Sequence, residues 1–187
     1  TGSQIVAGSS DNVPSAAKIV NGSGDDVTSS YEITYANGTL EVTKKALTIT
    51  ADSDTKVYDG TALTKNSYTN TALAEGDQIT SVTVTGSQTV VGSSDNVPSA
   101  AKIVNAAGED VTASYEITYA NGTLEVTKKT VSITADSDTK VYDGTALTKN
   151  SYTNTDLASG DSIESVTVTG SQTAVGSSDN VPGAAKI

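Results

Sequence analysis

The sequence predicts an all-β chain built from tandem antiparallel β-sandwiches, immunoglobulin-like in the broad sense, that repeat every 84 residues. Three observations carry this expectation. Apolar and polar residues alternate in short runs such as 46–51 and 79–85, and no stretch keeps the period of about 3.6 that a helix needs. Turn-forming pairs, among them Asn37-Gly38, Asp59-Gly60 and Asn121-Gly122, break the chain at short intervals. Whole phrases recur at one offset: Tyr31–Lys45 returns as Tyr115–Lys129, VYDGTALTKNSYTNT begins at Val57 and Val141, and SSDNVP begins at Ser9, Ser93 and Ser177.

The paired lysines Lys44-Lys45 and Lys128-Lys129 set the repeat boundaries, because the last strand of one repeat there runs into the first of the next. Residues 46–129 are then one complete repeat, 1–45 the C-terminal part of an earlier one, and 130–187 the N-terminal part of a third without its closing hairpin. The chain reads as a window cut from a longer array. No Gly, Ser or Pro spacer separates the repeats, so their junction is expected to be stiff.

Within the complete repeat, Ala46–Ala51 alternates as a half-buried strand. Asp52-Ser53-Asp54 is a turn, Lys56–Tyr58 a strand, and Asp59-Gly60 a reversal whose bulged form sets Leu63 against Val57. Residues 65–78 are rich in turn formers, with one short strand near Tyr68 and a single helical turn at 72–75. Ile79–Thr85 is the clearest strand, with Val82 and Val84 on one face. Gln88–Val91 is a strand, Gly92–Pro98 a polar loop, Ala101–Val104 a strand and Ala106–Asp110 a turn. Pro98 is expected at an edge or a strand start because it has no N–H to donate.

The repeat closes at YEITYANGTLEVTKK, residues 115–129, which reads as a type I′ hairpin with Asn121-Gly122 at its tip. Its register would set Tyr119 against Leu124, Ile117 against Val126 and Tyr115 against Lys128, with the apolar set on one face. This makes about seven strands in 84 residues, as a sandwich requires. A β-grasp-like fold is the alternative, although no segment supplies its crossing helix.

The composition narrows the chemistry. The 187 residues include no Cys, His, Trp, Met, Phe or Arg, and Tyr is the one aromatic. Without thiols there is no disulfide framework and no cysteine metal site. Without His or Cys, a nucleophile would have to be Ser or Thr activated by Lys or a carboxylate, so an enzyme is not expected, and SSDN at Ser93–Asn96 reads as a polar loop. The net charge of −11 is spread along the chain, which disfavours nucleic acid and anionic lipid as partners. No apolar run is long enough to insert in a membrane as a helix.

The openings ITADSDTKVYDGTALT and the closing phrase VTASYEITYANGTLEVT resemble the YDG/MBG-type repeat domains of long bacterial surface proteins and adhesins. The resemblance runs through the whole chain in repeated form. It implies an extracellular, cell-wall-attached array, a stalk or fibre that projects a functional tip from the bacterial cell, with neighbouring repeats as its main partners. It supplies no catalytic residue.

Several side-chain groups are candidates for more than scaffolding. Asp52, Asp54, Asp59, Asp95, Glu109 and Asp110 lie in turns, where carboxylates cap backbone N–H groups, and they are the residues that would hold calcium, the one candidate cofactor. Lys102, beside the inward-facing Ile103, is the candidate for an internal cross-link to Asn or Asp. Thr83, Thr85 and Thr89 could form a hydroxyl array, but Thr is also an ordinary strand former; Tyr58, Tyr68, Tyr115 and Tyr119 could stack on a host or environmental glycan or mucin, the alternative function, but two or three of them are expected in or beside the core, sharing parity with Ile117. Because 1–45 carries a closing hairpin that 130–187 lacks, separate chains could also complement one another end to end by strand donation.

Overall fold

The computed structural model describes all 187 residues and is all-β, with 43% of them in strands and 3% in helical turns. The strands are β1 (Gly8–Asn12), β2 (Gly38–Val42), β3 (Lys45–Ala51), β4 (Asp54–Val57), β5 (Tyr68–Asn70), β6 (Gln78–Thr85) and β7 (Gly92–Val104). They continue with β8 (Tyr115–Ala120), β9 (Gly122–Thr127), β10 (Ile133–Ala135), β11 (Tyr152–Asn154), β12 (Ser165–Thr169) and β13 (Val181–Lys186). The helical residues are two 3₁₀ turns, Thr28–Ser30 and Thr112–Ser114, so the helix that a β-grasp fold requires is absent.

The strands distribute over two compact units, each assembled from separated pieces of chain. The first comprises Thr1–Asp52, Asn66–Thr85 and Asn96–Gly122. Its three-stranded sheet has the order β5-β3-β8, with β5 antiparallel and β8 parallel to β3. A second layer comes from β6 and the later part of β7, which pair antiparallel with two register shifts. Leu47 and Ile49 of β3 and Tyr115 of β8 meet Ile103 of β7 and Val111 between these layers, with Tyr68, Ile79 and Val82 at the margin. Burying each large apolar side chain here contributes roughly 1.5–3 kcal/mol. Ala100 adopts φ of +51° in β7, between the residues that pair with Thr83 and Ser81, and marks the bulge.

The second unit comprises Ser53–Lys65, Gly86–Asp95 and Thr123–Ile187. Here β4 runs parallel to β9, and Leu124 and Val126 of β9 are buried with Leu63, half-buried Tyr58 packing against them. Strands β10–β11 and β12–β13 form two further antiparallel pairs.

Several expectations are corrected. The 115–129 hairpin does not form: β8 pairs with β3 and β9 with β4, both parallel, so the antiparallel sandwich is a mixed one. Alternation fixes which side chains share a face but not which strand lies alongside, and burial against two separate apolar clusters outweighs a local reversal. Asn121-Gly122 is thus a crossing point, since Gly122 lacks a positive φ and a Cβ there would lie 2.5 Å from the carbonyl oxygens of Ala51 and Asp52. The Asp59-Gly60 turn has the required glycine, φ +83°, but Leu63 bridges to Gln88 and not to Val57.

Gly92–Pro98 is strand, not loop, and Pro98 sits opposite Val84 inside β7 with its side chain fully buried. Gln88–Val91 supplies only the isolated bridge, and the expected helical turn at 72–75 does not form: the chain turns at 75–76 instead, closed by Asp77 N–H on Ala74 O. Strands at 45–51, 68–70 and 78–85 and the turn at 106–110 lie where the sequence places them.

Candidate functional site: an open strand cleft

The second unit holds the same local framework twice, once filled and once open. In the filled copy, β4 lies beside β9 in the register Asp54–Leu124, Thr55–Glu125, Lys56–Val126 and Val57–Thr127. Leu63 and Gln88 exchange backbone hydrogen bonds of 2.8 and 3.1 Å, which holds Leu63 under Leu124 and Val126. Gln88 Nε2 donates to Val90 O at 2.8 Å and fixes the segment before β7.

In the open copy, residues 84 positions later repeat each bond. Leu147 and Gln172 exchange the same pair, 2.8 and 3.1 Å, and Gln172 Nε2 donates to Ala174 O at 2.8 Å. Asn180 Nδ2 donates to Asp136 O at 2.8 Å and Lys149 O at 2.9 Å, clamping two segments, while its Oδ1 is buried with no hydrogen-bond partner. No strand lies between 138–141 and 176–180. Two adjoining cavities of about 340 and 560 Å³ occupy that place, lined by Asp138, Lys140, Tyr142, Leu147, Ser178 and Pro182 among others. The apolar rim is bare: Val141 is 89% exposed where Val57 is 55%, and Val175 is 90% exposed where Val91 is 47%. Leu147 is half-buried where Leu63 is buried.

Charge at the cleft mouth is held locally. Lys140 Nζ meets Asp143 Oδ1 at 2.8 Å and Thr145 Oγ1 at 2.7 Å, and Thr145 N–H donates to the same carboxylate oxygen at 2.9 Å. The filled copy has the equivalent group, with Lys56 Nζ 2.7 Å from Asp59 Oδ1 and Thr61 N–H 2.9 Å from it. Hydrogen bonds from the lysine and then from the threonine hold both aspartates far below the usual carboxylate range. This network explains the YDGT phrase: aspartate closes the turn and lysine is bound back onto it.

The phrase has a second use in the filled copy. Tyr58 lies beside Asp161, whose charge, together with burial, raises the phenol above its ordinary value. A Cβ on Gly60 would lie 3.0 Å from Ser159 O, so residues 58–60 sit directly against 159–161. Gly144, the equivalent of Gly60, has nothing within 4 Å, and Tyr142 is 64% exposed.

The other candidate residues are dispersed. Asp52 accepts from Ser67 Oγ at 2.5 Å, Asp54 lies 3.6 Å from Lys65, Glu109 accepts from Asn105 and Asp110 from Thr112. Asp95 is exposed on β7, and no three acidic side chains come together at one point. Lys102 is exposed beside buried Ile103, near enough to Asp110 to help lower that carboxyl after the Thr112 hydrogen bonds. Thr83 and Thr85 share the exposed face of β6, and Thr89 lies beyond it.

Tyr115 is core, donating to Asp77 Oδ2 at 2.5 Å and accepting from Ala74 N–H at 3.0 Å, and burial and Asp77 raise its phenol. Tyr119 accepts from Ala101 N–H, and Tyr68 is half-buried at the core margin, so the tyrosines do not form a shared platform.

Sequence reasoning missed Asn96, which is fully buried and donates to Asp52 O at 2.9 Å. Its one sequence signal is position: it alternates with Ser94 and Pro98, which a strand reading of SSDNVP would have turned inward. No protein family, curated protein or solved structure matches the chain.

Proposed function

We propose that the chain is a load-bearing stalk segment of a long extracellular bacterial surface protein, an adhesin-type array of tandem 84-residue, immunoglobulin-like sandwich repeats that carries a functional tip away from the cell. The observation that carries this reading is the parallel pairing of β3 with β8 and of β4 with β9. These strands open and close the period, so tension applied through the chain pulls them in opposite directions along their length. The inter-strand hydrogen bonds of each ladder are then sheared together, whereas a ladder pulled from one end opens bond by bond. Contact of Tyr58 and Gly60 with Ser159–Asp161 adds a seat for one period against residues of the next, as a stiff junction requires. The phrase resemblance supports the same reading.

Single-molecule pulling tests it, and the absence of cysteine lets handles be placed cleanly. A Lys45→Cys/Ala120→Cys chain loads β3 and β8 in shear, and a Lys45→Cys/Glu116→Cys chain unzips them from one end. Higher rupture force in the first is expected, with the wild-type chain held by its ends resembling it. Equal forces would remove the basis of the proposal. Tyr142, exposed beside Thr173 and Val175, is the observation that favours the glycan-binding alternative, and saturable capture of the chain by mucin would support that reading.

A further inference from the structure

Strand β6 is the end strand of its sheet, with β7 as its one neighbour, so one side of its backbone meets no other strand. Pro98 shows which groups point that way. Val84 pairs with Pro98, which has no N–H to give, so the hydrogen-bonded pairs of this ladder are Thr83 with Ser99 and Thr85 with Val97. Val84 is then turned away from β7, and by alternation Val82 is too, each presenting an N–H and a C=O at the open side. Thr80 is an extra residue between the pairs Ile79–Ile103 and Ser81–Lys102 and kinks the strand, which leaves Ser81–Thr85 as its regular run.

An open edge invites a further strand, and folded chains blunt such edges with charge, proline or brevity. The other end strands of the complete period follow that rule. β4 carries Asp54 and Lys56, β5 has three residues, and β8 carries Glu116. β6 does not. It belongs to the uncharged run Gln78–Ser94, the longest in a chain whose net charge is −11. The strand and its neighbour both lie inside the complete period 46–129, with their core around them.

We propose that β6 is a homotypic interface, in which Ser81–Thr85 of two copies of this chain pair antiparallel, edge to edge, about a twofold axis at Thr83. Two observations select a second copy as the occupant. The sequence Ser-Val-Thr-Val-Thr is self-complementary when antiparallel, setting Ser81 against Thr85, Val82 against Val84 and Thr83 against itself. Val82 and Val84 of the two copies then exchange the bonds that their outward N–H and C=O groups leave open. Thr83 falls at the non-hydrogen-bonded position, where facing side chains come closest. Charge selects in the same direction, because two acidic molecules repel least where neither presents a carboxylate.

The contact is isologous, the same surface serving on both sides. The same five residues recur as β12, Ser165–Thr169, again with one neighbouring strand and again with the second valine, Val168, opposite a proline, Pro182. Each period therefore presents one such edge. The inference concerns association between chains and stands apart from the mechanical reading above, which needs no second molecule.

The experiment is sedimentation velocity of the intact chain over a concentration series at two salt concentrations. The expected result is reversible, concentration-dependent association that strengthens with salt as the acidic charge is screened. Thr83 and Thr167 are exposed, so a Thr83→Lys/Thr167→Lys chain and a Thr83→Asp/Thr167→Asp chain should keep the wild-type melting curve. Each variant alone should associate about fivefold or more weakly, because like charges meet at the axis, and an equal mixture of the two should recover association. Val90→Lys adds charge to the same run outside β6 and should associate like the wild type. A wild-type chain that stays monomeric throughout overturns the proposal. So do charge variants that associate unchanged, a mixture that stays apart, or a Val90→Lys chain that loses as much as the Thr83 variants.

Discussion

Replacing Gly122 with alanine separates a crossing strand from a hairpin turn most sharply, because Gly38 in the same dipeptide serves as an internal control. At 122 the added Cβ would lie 2.5 Å from the carbonyl oxygens of Ala51 and Asp52 and 2.7 Å from the Asp52 carbonyl carbon. These are backbone atoms at and just past the end of a buried strand, so relief requires moving the end of β3 or the start of β9 and not rotating a side chain. Overpacking of this kind costs about 1–3 kcal/mol. At 38 the nearest atoms are 3.8 and 3.9 Å away, so the substitution should be neutral or stabilise by up to about 1 kcal/mol through the unfolded chain. In thermal melts the first variant should lose about 2–12 °C, from a shift of about 2–4 °C per kcal/mol for a chain of this size, and the second none. A type I′ turn would penalise both substitutions alike through positive φ, so equal losses would refute the crossing geometry.

Truncating Ile103 to alanine, in the centre of the first core and fully buried, should cost about 2–5 kcal/mol in urea unfolding, whereas Val90→Ala at an exposed site should cost almost nothing. Asn96→Ala removes the donor to Asp52 O and should destabilise by about 1–3 kcal/mol, read from the same titration. Asp59 and Asp143 have depressed carboxyl pKa values, so their contribution is complete above the unfolded value near about 3.9 and is lost as pH falls below it. Acid titration of an Asp59→Asn/Asp143→Asn chain should therefore show a weaker loss of stability below about pH 4 than the wild type, and an identical acid limb would contradict the network. Addition of a chelator should leave the melting curve in place, since the turn carboxylates are engaged separately by Ser67, Lys65, Asn105 and Thr112.

What the sequence made legible was local. Alternation at Ala46–Ala51 and Ile79–Thr85, the inward Ile103 and the Ala106–Asp110 turn all follow from side-chain parity or from Gly and Asn turn chemistry, which need no knowledge of partners. The pairing partners were illegible because Ile117 and Val126 show the same parity in a hairpin and in two separate parallel ladders. Only long-range burial, Tyr115 against Leu47 and Ile49 but Leu124 against Leu63, distinguishes them. The first half of β7 was hidden by composition: Ser93, Asp95 and Asn96 look like loop, yet Asn96 and Pro98 are buried and a backbone carbonyl answers the asparagine amide. The bonds that hold Leu147 to Gln172 and Asn180 to Asp136 join segments distant in sequence, which no local alternation reveals.

Parallel closure of the period is the premise of the mechanical reading, and disulfide trapping tests it directly. Thr55 and Glu125 face each other across β4 and β9, so a Thr55→Cys/Glu125→Cys chain should oxidise readily to an intramolecular disulfide, while Thr118→Cys/Glu125→Cys, paired only in a hairpin, should stay reduced. Rapid oxidation of the second pair with the first remaining free would contradict it.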